Sequence, residues 1–117
     1  MVLLATPEGI IENYFVTEVT KYGALPLKFK SPSMNGVPDQ IVISNGSTYF
    51  AEIKAPNEKP RALQIVVHEM FQKHNVTVHV IDTKDGVDRF IRDTLKLCKP
   101  IKTNTNKTHE KIIKNAF

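Results

Sequence analysis

A single cysteine, Cys98, stands among the 117 residues, so the chain cannot form an internal disulfide and a reducing cytoplasm is expected. No apolar run approaches the roughly 18 residues a membrane span needs. The opening MVLLATPEG lacks the basic and long apolar regions of a secretory leader. Without secretion, the glycosylation-like triplets at Asn45, Asn75 and Asn106 carry no meaning. None of the four histidines has the paired spacing of a zinc site. There is no Ser-His-Asp or Cys-His pattern for covalent catalysis, and Cys98 has no evident base beside it, which favours a packing role. No helix-turn-helix, zinc finger or aromatic platform offers a way to read bases.

What is present suits one compact domain: the length is that of a single unit and 41% of residues are hydrophobic. The formal charge is +4, and it is unevenly placed. Residues 99–117 hold five lysines and one acid, while residues 1–98 balance at eleven basic and eleven acidic side chains. We therefore divide the chain into a neutral domain, 1–98, and a basic tail, 99–117, flexible or partly helical. Such a tail suits a polyanion such as nucleic acid, and it equally suits solubility.

Thr6-Pro7-Glu8 reads as a helix start, with Thr as cap, Pro at the first position and an acid in the first turn. Ile10, Ile11, Tyr14, Phe15, Val19 and Tyr22 follow at helical spacing until Gly23. LPLKFK, 25–30, alternates like a strand, and SPSMNGVP, 31–38, is a loop. A hairpin spans 39–44 and 47–54 about Asn45-Gly46. Pro60 suits the first turn of a second helix, which aligns Leu63, Val66, Val67, Met70 and Phe71 and ends near His74-Asn75. VTVHVID, 76–82, is read as an interior strand, and a third helix runs from about Lys84 to Leu97 with Val87, Phe90, Ile91 and Leu95 inward. The order α-β-β-β-α-β-α implies an α/β fold, a mixed sheet flanked by helices.

The hairpin carries the argument. A turn at Asn45-Gly46 pairs residues whose numbers add to 91, so Asp39 should lie opposite Glu52 on one face. Lys54, two residues on, shares that face with Ile41, Ile43 and Phe50, read as core. Val42, Tyr49, Ala51 and Ile53 make the other face apolar too, so the hairpin reads as interior. Two carboxylates so placed repel by about 3 kcal/mol at about 5 Å and an effective dielectric near 20. One lysine cannot balance them, whereas a divalent cation can, and hard oxygen donors select Mg²⁺ or Mn²⁺. The plain alternatives are a protonated acid, an exposed pair at the strand ends, or a bulge that shifts the register.

Pro38-Asp39 followed by Glu52-Ile53-Lys54 resembles the PD-(D/E)xK signature of the restriction-endonuclease-like nucleases. The resemblance extends to their VRR-NUC branch through Glu12, Lys21-Tyr22-Gly23-Ala24, Lys28-Phe29, Gly36-Val37-Pro38-Asp39, Glu52-Ile53-Lys54-Ala55-Pro56, Gln64 and Val78-His79-Val80-Ile81-Asp82. It covers nearly all of residues 8–92, in order. Ala24 departs from the family's second glycine, and Ser31 and Ser33 fit its loop serine loosely.

The resemblance implies a restriction-endonuclease-like core and a metal-dependent DNA endonuclease using Mg²⁺ or Mn²⁺. It implies Asp39 and Glu52 as metal ligands, with the Ile53 carbonyl, and Glu12 reaching the metal directly or through water; Glu18 ranks below it. Lys54 would contact the scissile phosphate and orient or help deprotonate the attacking water, and Gln64 would fix that lysine or the phosphate. Lys28, Lys59, Arg61 and His68 are candidate DNA contacts, each matched by a plain surface role. His79 reads as a structural, half-buried residue, and His74 and His109 as surface residues. Branched DNA is the expected partner, four-way (Holliday) junctions first and flaps second, cut by a twofold homodimer in the cytoplasm, that of a host if phage-encoded. A catalytically idle DNA-binding or assembly module is the alternative from another class.

Overall fold

Asn45 and Gly46 both adopt positive φ, 49° and 79°, the pairing a two-residue hairpin turn requires. The computed structural model describes residues 5–101; the tail from residue 102, with His109 and the weak helical pattern near its end, lies outside the described residues. The turn joins β2 (Gln40–Ser44) to β3 (Ser47–Ile53). Their ladder runs from Ser44 opposite Ser47 to Gln40 opposite Ala51, the register expected from the sequence. β1 (Leu25–Lys28) pairs antiparallel with β2, and β4 (Val78–Ile81) pairs parallel with β3. The sheet order is β1-β2-β3-β4, so the hairpin is central and β4 is an edge. The interior placement expected of β4 is thus corrected, and Val80 is 45% exposed.

α1 (Pro7–Lys21) begins as its sequence dictates: Thr6 Oγ1 accepts from the Gly9 N–H at 3.0 Å, with Pro7 at the first position. Ile11, Phe15 and Val19, four residues apart, are buried against the sheet, while Ile10 stays exposed. The third helix is α3 (Lys84–Arg89), capped by Thr83 Oγ1, and it widens into a π-helical turn over Phe90–Thr94. There Leu95 N–H reaches back to the Phe90 carbonyl at 3.0 Å. The wider turn carries Phe90, Ile91 and Leu95 into one core with α1, Val42, Ala51 and Ile53.

The opposite face of the sheet is less covered than expected. α2 (Ala62–Lys73) lies there and begins two residues past Pro60, which precedes the Arg61 cap instead of occupying the first turn. Phe29, Phe50 and Phe71 pack along this side with ring centroids 6.0 and 5.1 Å apart, the first pair tilted and the second edge to face. Of the expected inward stripe only Val67 is buried and Phe71 half-buried, whereas Leu63, Val66 and Met70 face outward. Ile43 is exposed for the same reason. The helix meets the sheet along the Gln64–Val67–His68–Phe71 flank, because polar contacts at the strand end hold that flank down.

Gly36 locks the loop that delivers Asp39. It has φ 84°, and a Cβ there would stand 3.0 Å from Leu63 Cγ and 3.3 Å from the Leu63 carbonyl of α2. Gly36→Ala is expected to cost about 1–3 kcal/mol, through strain and crowding together. Chemical denaturation measures this, and an unchanged midpoint would show that the loop yields freely.

Candidate active site

Alternation along β2 and β3 brings unlike partners to one end of the hairpin. The regular ladder stops at Gln40 opposite Ala51, one residue short of Asp39 on one side and of Glu52 on the other. The Ile53 N–H donates to the Asp39 carboxylate, 3.2 Å from Oδ1, which ties the carboxylate to β3. Glu52 is buried, with Oε2 3.5 Å from Lys54 Nζ. Lys54 is itself only 4% exposed, an unusual state for a lysine and one that needs a paired charge.

α2 completes the wall. Gln64 Oε1 accepts from the Arg61 N–H at 2.8 Å, capping the helix, and its Nε2 donates to Glu52 Oε2 at 3.1 Å. The glutamine thus contacts Glu52 rather than the lysine or an open phosphate position. One turn later His68 lies along the same wall, Nε2 3.7 Å from Glu52 Oε1. Both of these atoms are buried without a hydrogen-bond partner among the described residues. His68 is mostly covered and turned toward Glu52, not spread on a surface for a duplex.

Glu12 reaches the same end from α1. Its Oε1 accepts from Lys28 Nζ at 3.1 Å and from Gln40 Nε2 at 3.2 Å. Among the described residues no three His, Cys, Asp or Glu side chains form a ready-made cluster, and Asp39 feels the charges of both Glu52 and Glu12. Glu8, read from sequence only as a first-turn acid, is close enough for its charge to raise both Asp39 and Glu52. The available signal was its position one helical turn before Glu12. Gln40 and the Glu52 contact of His68 were also missed, because neither residue type declares a partner across the fold.

Burial first, and then the Glu52 charge, push the Asp39 carboxyl up to about 7, against the opposing hydrogen bond from Ile53. Burial also raises Glu52, with Lys54 opposing. The His68 imidazole is lowered by burial and then by Lys54, which favours its neutral form. The pocket therefore holds too little positive charge for its carboxylates. An unfolded chain releases the Asp39 proton near 3.8 while the fold retains it to about 7. This group's stability contribution is therefore lost as pH rises between those values. Thermal scans in EDTA should show the midpoint falling from pH 5 to pH 7.5, with a shallower fall in Asp39→Asn; equal slopes would contradict it.

The remaining candidates are dispersed. Lys28 is committed to Glu12, while Lys59 and Arg61 are exposed on the segment between β3 and α2. Glu18 pairs with Lys21 instead of joining the site. His79 is half-buried, its ring centroid 5.2 Å from that of Phe90, and His74 is exposed. Cys98 is exposed, which corrects the packing role expected of it. No described helix is long and apolar enough to cross a membrane.

Comparison with known proteins bears directly on this arrangement. No family model matches the chain. The chain is 42% identical over 79 residues to "Putative nuclease p44" of Acyrthosiphon pisum secondary endosymbiont phage 1, covering 67% of this chain and 85% of that protein. A solved structure described as a VRR_NUC domain superposes with a TM-score of 0.71 at 32% identity, over 76% of this chain and 98% of the other. The chain belongs to the VRR-NUC nuclease family. Its mixed four-stranded sheet with flanking helices is the restriction-endonuclease-like core, and the Asp39/Glu52/Lys54 cluster lies at the open end of its central hairpin. As a VRR-NUC domain it has a nuclease-like architecture; substitution of the second family glycine by Ala24 leaves the α1–β1 corner intact, with the Ala24 N–H bonded to the Val19 carbonyl at 2.9 Å.

Proposed function

We propose that this protein is a divalent-metal-dependent, structure-selective DNA endonuclease that hydrolyses phosphodiester bonds in branched DNA. Four-way junctions are the leading substrate and flaps the second. The carrying observation is the pair of adjacent carboxylates, Asp39 and Glu52, beside a buried lysine only 3.5 Å from Glu52.

The donor set fits a hard divalent ion. Two carboxylates, one held protonated to about 7 and the other with an unpartnered buried oxygen, describe a pocket short of positive charge. Asp39, Glu52 and the Ile53 carbonyl would hold Mg²⁺ or Mn²⁺, with Glu12 acting through water. Bound there, the ion supplies Lewis acidity and a more acidic water. Lys54 balances Glu52 and places its ammonium where a phosphate oxygen gains charge, orienting the attacking water. Gln64 keeps Glu52 in place, and His68 excludes bulk water from its other oxygen. Lys59 and Arg61 serve as backbone contacts, with Lys28 beside them, so affinity follows phosphate charge and not base identity.

A twofold homodimer suits paired strand cuts. Val66, 52% exposed between Leu63 and Met70 on α2, supports a second copy as occupant of that apolar flank, on the helix that also carries Gln64 and His68. The deciding experiment is cleavage of junction, flap and linear DNA in Mg²⁺, Mn²⁺ or EDTA. Metal-dependent cutting of branched DNA is expected; binding without cutting would favour an assembly module. Gel filtration of Val66→Lys should give a monomer, and a wild-type monomer that still makes paired cuts would remove the dimer.

A further inference from the structure

Gln40 is a costly residue where it stands. It is 1% exposed on β2, paired opposite Ala51 and next to Asp39. Its Nε2 donates to Glu12 Oε1 at 3.2 Å. A carboxylate only accepts, so this contact sets the orientation of the amide. The other end, Oε1, is thereby turned into the protein, where it is buried and has no partner among the described residues. A buried position on the same sheet face as Val42 and Ala51 would be better filled by an apolar side chain of the same length, because an unmet buried acceptor is destabilising. Lys28, the register partner of Gln40 on β1, donates to the same Glu12 oxygen at 3.1 Å. The two neighbours cradle Glu12 Oε1, and Glu12 Oε2 has no hydrogen bond among the described residues.

We propose that Gln40 is a positioning residue whose buried amide holds the Glu12 carboxylate at the open end of the hairpin, near Asp39. This rests on the metal-dependent reading above. Lys28 is exposed and screened, so it cannot supply the same fixed direction. The buried amide, from the residue adjoining Asp39, ties the α1 acid to the strand that bears a proposed ligand.

The test is Gln40→Met, with Mn²⁺ affinity read by electron paramagnetic resonance without DNA, the thermal midpoint in EDTA, and cleavage split into metal activation and rate at saturating Mn²⁺. Affinity should fall roughly 10-fold. The midpoint should stay level or rise by about 2–4 °C as the unmet acceptor disappears. Rate at saturating Mn²⁺ should hold within about threefold, since a supporting group is lost but no ligand of the pair. Glu12→Gln should weaken Mn²⁺ similarly, and adding Gln40→Met to it should change nothing further. Gln40→Asn, which keeps the amide but cannot reach, should repeat the affinity loss. Unchanged affinity, full additivity with Glu12→Gln, or a Gln40→Met chain that melts early or does not fold would each overturn the proposal. Because affinity is read without DNA, failure of the wild type to cut counts against the nuclease reading alone.

Discussion

Asp39→Asn should abolish cleavage, by roughly 10³-fold or more, and at the same time make the metal-free protein more stable. The amide is the same size as the carboxyl and its oxygen can still accept from the Ile53 N–H. What disappears is a charge that burial and Glu52 both oppose. Relief of about 1 kcal/mol would raise the melting point of a domain this size by roughly 4–8 °C in EDTA at pH 7.5. At pH 5, where the wild-type carboxyl is already protonated, the gain should shrink. Sites selected for chemistry over stability show this opposition. An Asp39→Asn protein that cuts normally would remove the carboxylate from the mechanism. One that melts lower at pH 7.5 would show that Asp39 is a structural anchor instead.

Lys54→Met should do the reverse to stability while also stopping the reaction. The methionine fills the lysine's volume but leaves buried Glu52 without its cation, at a cost of about 3 kcal/mol. Cleavage should fall roughly 10²–10³-fold, as expected when preorganised positive charge is removed from a phosphoryl centre. Adding Glu52→Gln should return most of the lost stability and none of the activity, because it neutralises the stranded acid but discards a proposed metal ligand. Urea titrations of the two single variants and the double variant measure the coupling directly. If Lys54→Met unfolded at the wild-type midpoint, the ion pair would have no energetic standing.

These two outcomes follow from a register that the sequence around the turn specifies. Asn45-Gly46 permits positive φ at both turn positions, and a two-residue turn leaves one way to pair the flanking strands. The hairpin, the capped start of α1 and the proximity of Asp39 to Glu52 were legible for that reason: each depends on a few neighbouring residues. The other face of the sheet was not. The spacing of Leu63, Val66, Val67, Met70 and Phe71 marks an apolar helix surface but cannot say which flank will touch a strand. Val78 and Val80 are β-branched in an edge strand as readily as in a central one.

Local chemistry alone therefore determined where the chain turns, that the two hairpin strands pair, and that two acids and a lysine collect at one end. Only the assembled fold decided that Lys54 is buried, that Gln64 and His68 close around Glu52, that Glu12 is held by Gln40, and that Glu8 adds its charge to the same pocket. Those contacts join residues far apart in the chain through the rotation of α1 and α2 against the sheet. That rotation is set by the whole core at once, and no single stretch of sequence encodes it.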